Sequence, residues 1–510
     1  MSQGYLLTMD IGTQGARAAL FDTAGNTLAS VVQDYDLETP APGWAQQDAR
    51  MWWDCAARNI ATLLQQTGID PGRILCVGVD SQMHAAIPID RHGEVLVPAV
   101  QVWCDKRNAE FVDAFSRDPA LPRMRVLAAN LPTTAMTGFK IKWVQQYQPD
   151  VYARTWKFLT GAAYIVYRLT GALAMSLSEA TGSYCLDARS LSWSDELIGW
   201  LGLDRAKLPP VAPATRIAGT VTPGAARLTG LIAGTPVAVG AGDFLATLLA
   251  VGLTKPGQAV EVSGTSCLMA IALPEPLPHL PLMHEHQEIE GWVAFGVVES
   301  GGGSLRWFRD QFCREELALA EQTGHDVYDI LTEQAARTPP GAEGVLYFPY
   351  LLGERGLGSP YSRGVLFGLS PRADKGMFMR AIMEGVTFEL RRTLEIAGQA
   401  GIPIEEVRVV GGAAGNPVWN QIRADIYGRP VVRLPAREGA LLGTAILAGL
   451  ACGVWPDPAS AVDAAVRIAD VVEPNLANRA RYDALFSLYL ELHDRLTPGF
   501  ERLHTILQGG

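Results

Sequence analysis

The chain contains no pair of cysteines at CxxC spacing. Its seven cysteines, at 55, 76, 104, 185, 267, 313 and 452, are scattered singly, which leaves neither a zinc-ligand pattern nor a disulfide framework. Free, buried thiols in a reducing cytoplasm fit that usage. There is no run of Lys and Arg, and the formal net charge is −11 with a pI near 5.3. The basic field of a nucleic-acid binder is therefore missing. No uncharged apolar run reaches the roughly 18 residues of a membrane span. The nearest, 231–253, is interrupted by Asp243 and by Gly234, Gly240, Gly242 and Gly252. The opening Met1-Ser2-Gln3-Gly4-Tyr5 has neither a basic start nor an apolar core, so no secretory leader is expected and the expected location is cytoplasmic. Two nucleotide-binding signatures are absent as well. Gly-x4-Gly-Lys-Ser/Thr does not occur, and no Gly-x-Gly-x-x-Gly opens a helix near the start, which disfavours a P-loop kinase and a nicotinamide enzyme.

What is present is enough for large cores. The 510 residues are 48% hydrophobic and 19% charged, a globular composition long enough for two or more domains. Residues 5–10 read as a strand, 11–15 as a Gly-rich turn, 16–21 as a second strand and 27–33 as a third. Short apolar runs between Gly, Asn and Asp clusters signal such a meander. A helix is predicted over 48–67 with Asp48 as its cap, and a buried strand over 73–80. Further on, a strand at 237–239 ends in Gly240-Ala241-Gly242-Asp243, and 259–262 leads through Ser263-Gly264-Thr265-Ser266 into an apolar run, 267–272. Both regions carry an apolar strand ending in an acidic residue, with Gly-Thr shortly after. An internal duplication is expected, dividing the chain into 1–245 and 246–510. Helices are expected over 375–400 and 479–507, the last amphipathic and lying on the outside.

The turn Asp10-Ile11-Gly12-Thr13-Gln14-Gly15-Ala16-Arg17 can aim several backbone N–H groups at an anion. Asp10 beside a phosphate makes sense if it orients Mg²⁺, usually through water, and Arg17 adds positive charge. A plain hairpin is the alternative for this turn alone; the second copy at Gly264 and Thr265 favours a clamp on a polyphosphate. Asp243 stands at a strand end, where sites in α/β proteins collect. Its carboxylate can accept the proton of a hydroxyl attacking a γ-phosphate, and it serves equally as a helix N-cap. Gln82-Met83-His84 stands at another strand end, where His84 can bond a sugar hydroxyl or play a structural part. Trp103-Cys104-Asp105-Lys106-Arg107 combines an aromatic face with a carboxylate, which suits a sugar or a solvated charge cluster alike.

Together these stretches resemble the FGGY carbohydrate kinases, and within them the xylulokinase branch. The resemblance runs from about Tyr5 to Leu450. It rests on Asp10 to Thr13, on Gln82-Met83-His84, and on Thr137-Gly138-Phe139-Lys140-Ile141-Lys142-Trp143, with Ala135 departing at its opening position. It rests further on Gly364 to Leu369 with 378–384 (Met377 departing), on Gly303 to Asp310, and on Gly411-Gly412-Ala413-Ala414-Gly415-Asn416-Pro417-Val418-Trp419. Six motifs in the family's order are specific. The resemblance implies an α/β fold of two actin/hexokinase-type, ribonuclease H-like domains with a cleft between them. It implies ATP and Mg²⁺, domain closure that excludes water, and Asp243 as general base. On the metal side it implies Asp10 and Asp243. Gly12, Thr13, Gln14, Arg17, Gly264, Thr265, Gly303, Arg306, Trp307, Gly412, Ala413 and Asn416 are then expected around the nucleotide. Gln82, Met83, His84, Trp103, Asp105 and Phe244 are expected around the sugar.

Three substrate-side departures stand out. Phe244 follows Asp243 where Asn is usual, Cys104 stands between Trp103 and Asp105 where Asn is usual, and Gly356-Leu357-Gly358 replaces Thr-Pro-His. D-xylulose is the expected acceptor, with another ketose, a polyol or a deoxy sugar as the alternative. A nucleotide-gated protein without catalysis is the rival from another class, and a base at Asp243 is what it would not need. The expected partners are the sugar and ATP, with no nucleic acid or membrane, and a homodimer as the ordinary assembly.

Overall fold

The computed structural model describes residues 4–354, 357–434 and 439–508. Strand β1 (Tyr5–Ile11) turns through Gly12 into β2 (Gly15–Asp22), and β3 (Thr27–Asp34) completes an antiparallel meander. Helix α1 (Ala49–Thr67) begins where expected, because the Asp48 carboxylate accepts the Arg50 N–H at 2.9 Å, satisfying one of the donors a helix start leaves open. The chain then forms β4 (Ile74–Ser81), parallel to β1. Helices α2 (Gly161–Thr170) and α3 (Leu177–Thr181) follow, then strands β5 (Ile217–Thr220), β6 (Pro236–Ala238) and β7 (Ala241–Gly242). The first sheet has seven strands in the order β5-β6-β4-β1-β2-β3, with β7 paired to the end of β4.

Helix α4 (Asp243–Ala250) leads to a second sheet that repeats the plan. Strands β8 (Ala259–Ser263), β9 (Cys267–Leu273), β10 (Met283–His286) and β11 (Trp292–Val298) precede helices α5 (Gly301–Phe312) and α6 (Lys375–Gln399). Strand β12 (Val407–Val410), helix α7 (Pro417–Tyr427), β13 (Val431–Arg433), helix α8 (Gly439–Ala451), β14 (Asp470–Val472) and helix α9 (Arg479–Gln508) complete the chain. The seven strands run β10-β11-β9-β8-β12-β13-β14. Strand β8 pairs antiparallel with β9 and parallel with β12, as β1 does with β2 and β4.

Two packing results go beyond the sequence expectations. Helix α9 does not simply lie outside. Its inner face buries Tyr482 and Tyr489 in the second core, with Tyr489 stacked on Phe348 at 4.4 Å, while Leu503, Ile506 and Leu507 near its end stay exposed. Helix α8, late in the chain, packs on β1, β4 and α4 of the first sheet. Leu441, Leu442, Ala445 and Ile446 meet Leu6, Phe21, Cys76 and Leu249 there. The approach of α8 to α4 is close enough that a Cβ at Gly443 would lie 1.8 Å from the Ala246 carbonyl oxygen. Gly443→Ala therefore forces the two helices apart. It is expected to cost about 1–3 kcal/mol, read as a lower thermal midpoint, and to lower activity because α4 begins at Asp243.

Candidate active site

The registers of the first sheet bring three carboxyl groups together. Asp10 at the end of β1 pairs with Asp80 on parallel β4, and Asp80 pairs with Ala241 on β7, two residues before Asp243. Asp80 was not singled out in the sequence, although it stands at a strand end as Asp10 and Asp243 do. It is fully buried and its Oδ2 accepts the Thr444 hydroxyl of α8 at 2.6 Å. Burial first, then the charge of Asp10, raises its pKa well above the usual carboxylate value. Asp243 is the first residue of α4; the N-cap is Gly242, and the carboxylate accepts the adjacent Phe244 N–H, at 2.7 Å. Burial, and then Asp10, pushes the Asp243 pKa up to about 7.

The Gly12–Gln14 turn is braced on every side. Tyr35 donates to the Gly12 carbonyl at 2.7 Å, Gln82 Nε2 to the same oxygen at 3.3 Å, and Gln47 Nε2 to the Thr13 carbonyl at 2.8 Å. Arg17 lies exposed on β2 opposite Asp10. The Trp103 indole N–H donates to Thr13 Oγ1 at 3.0 Å, so the loop expected at the sugar touches the turn expected at the phosphates. The Gln82 amide also donates to Gln47 Oε1 at 2.8 Å, which leaves its polar atoms engaged by protein. Asp105 is buried too. It accepts the Ala45 N–H at 2.6 Å and pairs with Arg107 at 2.7 Å, while Arg107 stacks on Trp44 at 3.8 Å. The cluster around Trp103 is thus a buried ion pair under an exposed indole, rather than a solvated group of charges.

Met83 lies under β7, where a Cβ on Gly242 would come within 2.7 Å of its side chain. His84 adopts φ 71°, a left-handed backbone that a residue with a Cβ seldom takes. Its ring Nδ1–H donates to the Gly182 carbonyl at 3.0 Å. Lys140, from the Thr137–Trp143 motif, holds this bend. It is fully buried and donates to the carbonyls of His84 and Ala135, at 2.9 and 2.6 Å, and burial lowers its amine to about 7. Phe244 packs against Phe295 of β11 with ring centroids 4.8 Å apart. Of the substrate-side departures, Gly356 lies outside the described residues.

On the other sheet, the Gly264-Thr265 turn receives the start of α5. Gly302 N–H donates to the Gly264 carbonyl at 3.0 Å, Gly303 N–H to the Thr265 carbonyl at 2.8 Å, and Arg306 reaches Thr265 Oγ1 at 3.4 Å. Trp307, also on α5, packs half-buried at the edge of the second core, as does Ala413. Gly412 and Ala413 form a single turn before α7, which Asn416 caps by accepting the Trp419 N–H at 3.0 Å. Gly411 before them has φ 99°, and a Cβ there would sit 2.3 Å from the Ser263 carbonyl oxygen, so only glycine fits. Beneath both turns lies Arg423, fully buried and paired with Glu261 at 2.8 Å. It also donates to Ser263 Oγ at 2.9 Å and to the Ala413 carbonyl at 3.3 Å. One guanidinium therefore fixes the Gly264-Thr265 turn to the turn of Gly412 and Ala413. Sequence inspection passed over it because an Arg on an amphipathic helix ordinarily reads as a surface residue.

A buried polar seam joins the two halves beside this cleft. The Asn130 amide pairs with the His284 backbone of edge strand β10, donating at 2.6 Å and accepting at 2.9 Å, much as a neighbouring strand would. Thr181 of α3 donates to Glu285, and Ser176 and Ser178 donate to Glu288. Burial raises Glu179 and Glu285 to about 8 and Glu288 to about 7.

Residues 5–250 match the N-terminal domain, and residues 259–452 the C-terminal domain, of the FGGY family of carbohydrate kinases. The chain belongs to this family. It is a sugar kinase with the two-domain actin/hexokinase-type fold, and the family uses ATP. The xylulose kinase of Escherichia coli (strain K12) is 30% identical over 449 residues, covering 87% of this chain and 89% of its own. The autoinducer-2 kinase of Yersinia enterocolitica serotype O:8 is 30% identical over 496 residues, 95% of this chain and 93% of its own. The crystal structure of xylulose kinase from Rhodospirillum rubrum superimposes with a TM-score of 0.88 at 27% identity, covering 98% of this FGGY kinase and 100% of that chain. Among the described residues no helix is long and apolar enough to cross a membrane.

Two outcomes are expected from these networks. Arg423→Met strips Glu261 of its buried partner, which costs about 3–5 kcal/mol; in the folded fraction, steady-state kinetics should show a raised KM for ATP with the sugar KM unchanged. For Glu285 the folded pKa lies above that of the unfolded chain. Between about pH 4.5 and 8 the folded state holds the extra proton, so stability falls as pH rises through that window, by up to about 1.4 kcal/mol per pH unit. Glu285→Gln removes that slope, and its thermal midpoint should gain on the wild type's steadily from pH 5 to pH 8.

Proposed function

We propose that this kinase transfers the γ-phosphoryl group of ATP to a hydroxyl of a ketopentose, D-xylulose giving D-xylulose 5-phosphate, with Asp243 as general base. The observation that carries the reading is the Asp243 carboxyl, enclosed at the junction of β7 and α4 with a pKa lifted to about 7. A base with its pKa near the working pH takes up the hydroxyl proton effectively as the oxygen attacks. The xylulose kinases among the relatives support the pentulose.

The other assignments follow the placement of each residue. Thr13, Gln14 and Thr265 present backbone N–H groups to the phosphates, Gly12 and Gly264 close the two turns by donating to the Gly15 and Ser266 carbonyls at 3.0 Å, and Arg17 and Arg306 add charge at the rim. Gly303, Trp307, Gly412, Ala413 and Asn416 surround the nucleoside. Met83, His84, Trp103 and Phe244 face the sugar, with Gln82 and Asp105 shaping that wall from behind. On this reading 1–245 is the sugar side of the chain and 246–510 the nucleotide side. The crowding of carboxyls around Asp10 fits a divalent cation, which would relieve the like-charge repulsion. Among the described residues no group of three His, Cys, Asp or Glu is disposed to hold an ion unaided, which fits Mg²⁺ arriving with the phosphates. Asp10 and Asp243 would hold it, mostly through water, and the bound ion neutralises phosphate charge.

A second reading keeps the reaction and changes the acceptor to another ketose, a polyol or a deoxy sugar. The Phe244–Phe295 pair favours it, because it sets an apolar wall directly beside the base, and the likeness to an autoinducer-2 kinase lends weight. ADP release measured with D-xylulose, D-ribulose, L-fuculose, glycerol and D-arabitol decides between them, with the highest kcat/KM expected for D-xylulose. Asp243→Asn should lower kcat by about 10²–10⁴-fold with whichever sugar turns over. Full activity in that variant would remove Asp243 from the reaction.

A further inference from the structure

Glu288 lies just beyond β10, on the nucleotide side of the chain, and is 3% exposed. Its Oε1 accepts two hydroxyls from the opposite half, Ser176 Oγ at 2.8 Å and Ser178 Oγ. Ser176 is the N-cap of α3, and its oxygen accepts the Glu179 N–H. Ser178 has one proton, which goes to Glu288, so its lone pairs turn the other way. They receive the Gly242 N–H at 3.2 Å. Gly242 is the residue before Asp243 and the N-cap of α4. The chain Glu288, Ser178, Gly242 therefore runs from the second half of the molecule to the peptide from which Asp243 projects.

We propose that Glu288, acting through the Ser178 hydroxyl, is a positioning residue for Asp243. The inference rests on the reading of Asp243 as general base. The geometry makes the link directional. A serine whose proton is claimed by a carboxylate can only accept from the amide on its other side; without Glu288 the hydroxyl rotates and its lone pairs are no longer held on Gly242. The peptide at Gly242 has little room to shift toward the sugar side, because Met83 already fills the space a Cβ would take. Loss of the anchor therefore turns the first turn of α4, and with it the base, by the small displacements to which phosphoryl transfer is sensitive. The remaining seam bonds, Asn130 to His284 and Thr181 to Glu285, end on β10 without touching β7. The Gly242 and Ser178 N–H groups also stabilise the Glu288 carboxylate directly, and Oε2 makes no close hydrogen bond among the described residues. A glutamine can keep Oε1 as the acceptor of both serine hydroxyls.

The test measures ADP release with the panel sugar of highest kcat/KM for wild type, Ser178→Ala, Glu288→Leu, Glu288→Gln, the Ser178→Ala/Glu288→Leu double variant and Asp243→Asn. Ser178→Ala and Glu288→Leu are each expected to lower kcat about tenfold, the size of one well-placed buried hydrogen bond, with both KM values within about twofold of wild type. Glu288→Gln should restore kcat to within about twofold, and the double variant should lose no more than the worse single one, because both cut the same chain. Thermal midpoints are read in parallel. Ser178→Ala, the smallest truncation, decides the matter if Glu288→Leu does not fold. Wild-type kcat in both truncations alongside an inactive Asp243→Asn overturns the positioning role alone, as does a Gln variant as damaged as the Leu variant or additive losses in the double variant. An active Asp243→Asn overturns the base assignment and the positioning role with it.

Discussion

Carboxylates crowded at the ends of neighbouring strands cannot all carry full charge in a water-poor pocket, and Asp10, Asp80 and Asp243 stand under that constraint. The fold resolves it by giving them different surroundings. Asp80 is buried, with its pKa raised, and is hydrogen-bonded by Thr444. Asp243 begins α4 with its pKa raised to about 7. Burial, and after it the charge of Asp10, lifts both. The nearness of α8 follows from the same need, since the Thr444 hydroxyl satisfies a carboxyl oxygen that would otherwise be buried without a partner.

Around this centre, side chains divide into those that present themselves to the cleft and those that hold others in place. Arg423 ties the Gly264-Thr265 turn to the Gly412-Ala413 turn through Ser263 and Glu261. Lys140 holds His84 in a backbone conformation it would not adopt unaided. Both are enclosed with several acceptors each. A buried polar group can only be kept where such partners are fixed, so each also reports that its surroundings are rigid. The two loops expected to serve different ligands are joined by Trp103 and Thr13.

The hairpins at Gly12 and Gly264, helix α1 with its Asp48 cap and the long helix α6 were legible in the sequence because each is written locally, in a turn residue, a cap or a periodic apolar face. Asp243 was legible as a carboxylate at a strand end, and the same rule would have found Asp80. That protein groups engage Asp105 and Gln82 was not legible, because their partners Arg107, Ala45 and Gln47 are set by packing. In the strand Met283-His284-Glu285-His286 the His284 backbone and the Glu285 carboxyl are bonded by Asn130 and Thr181, and Glu288 just beyond it by Ser176 and Ser178, all more than a hundred residues earlier in the chain. Glu288 was invisible for the same reason.

The hydrogen bond between Asp80 and Thr444 spans 364 positions of chain, and the apolar layer around it joins Leu6 and Phe21 to Leu441 and Ile446. During synthesis, the first sheet therefore emerges long before the helix that covers one of its faces. For most of translation a strip of aliphatic surface on β1 and β4 faces solvent, the kind of surface on which nascent chains associate wrongly. The N-terminal half does not complete its own core. A polypeptide that stops before α8 would lack both the lid on that strip and the Thr444 hydroxyl bonded to Asp80, so the earliest-made part of this enzyme waits for one of its late-made helices.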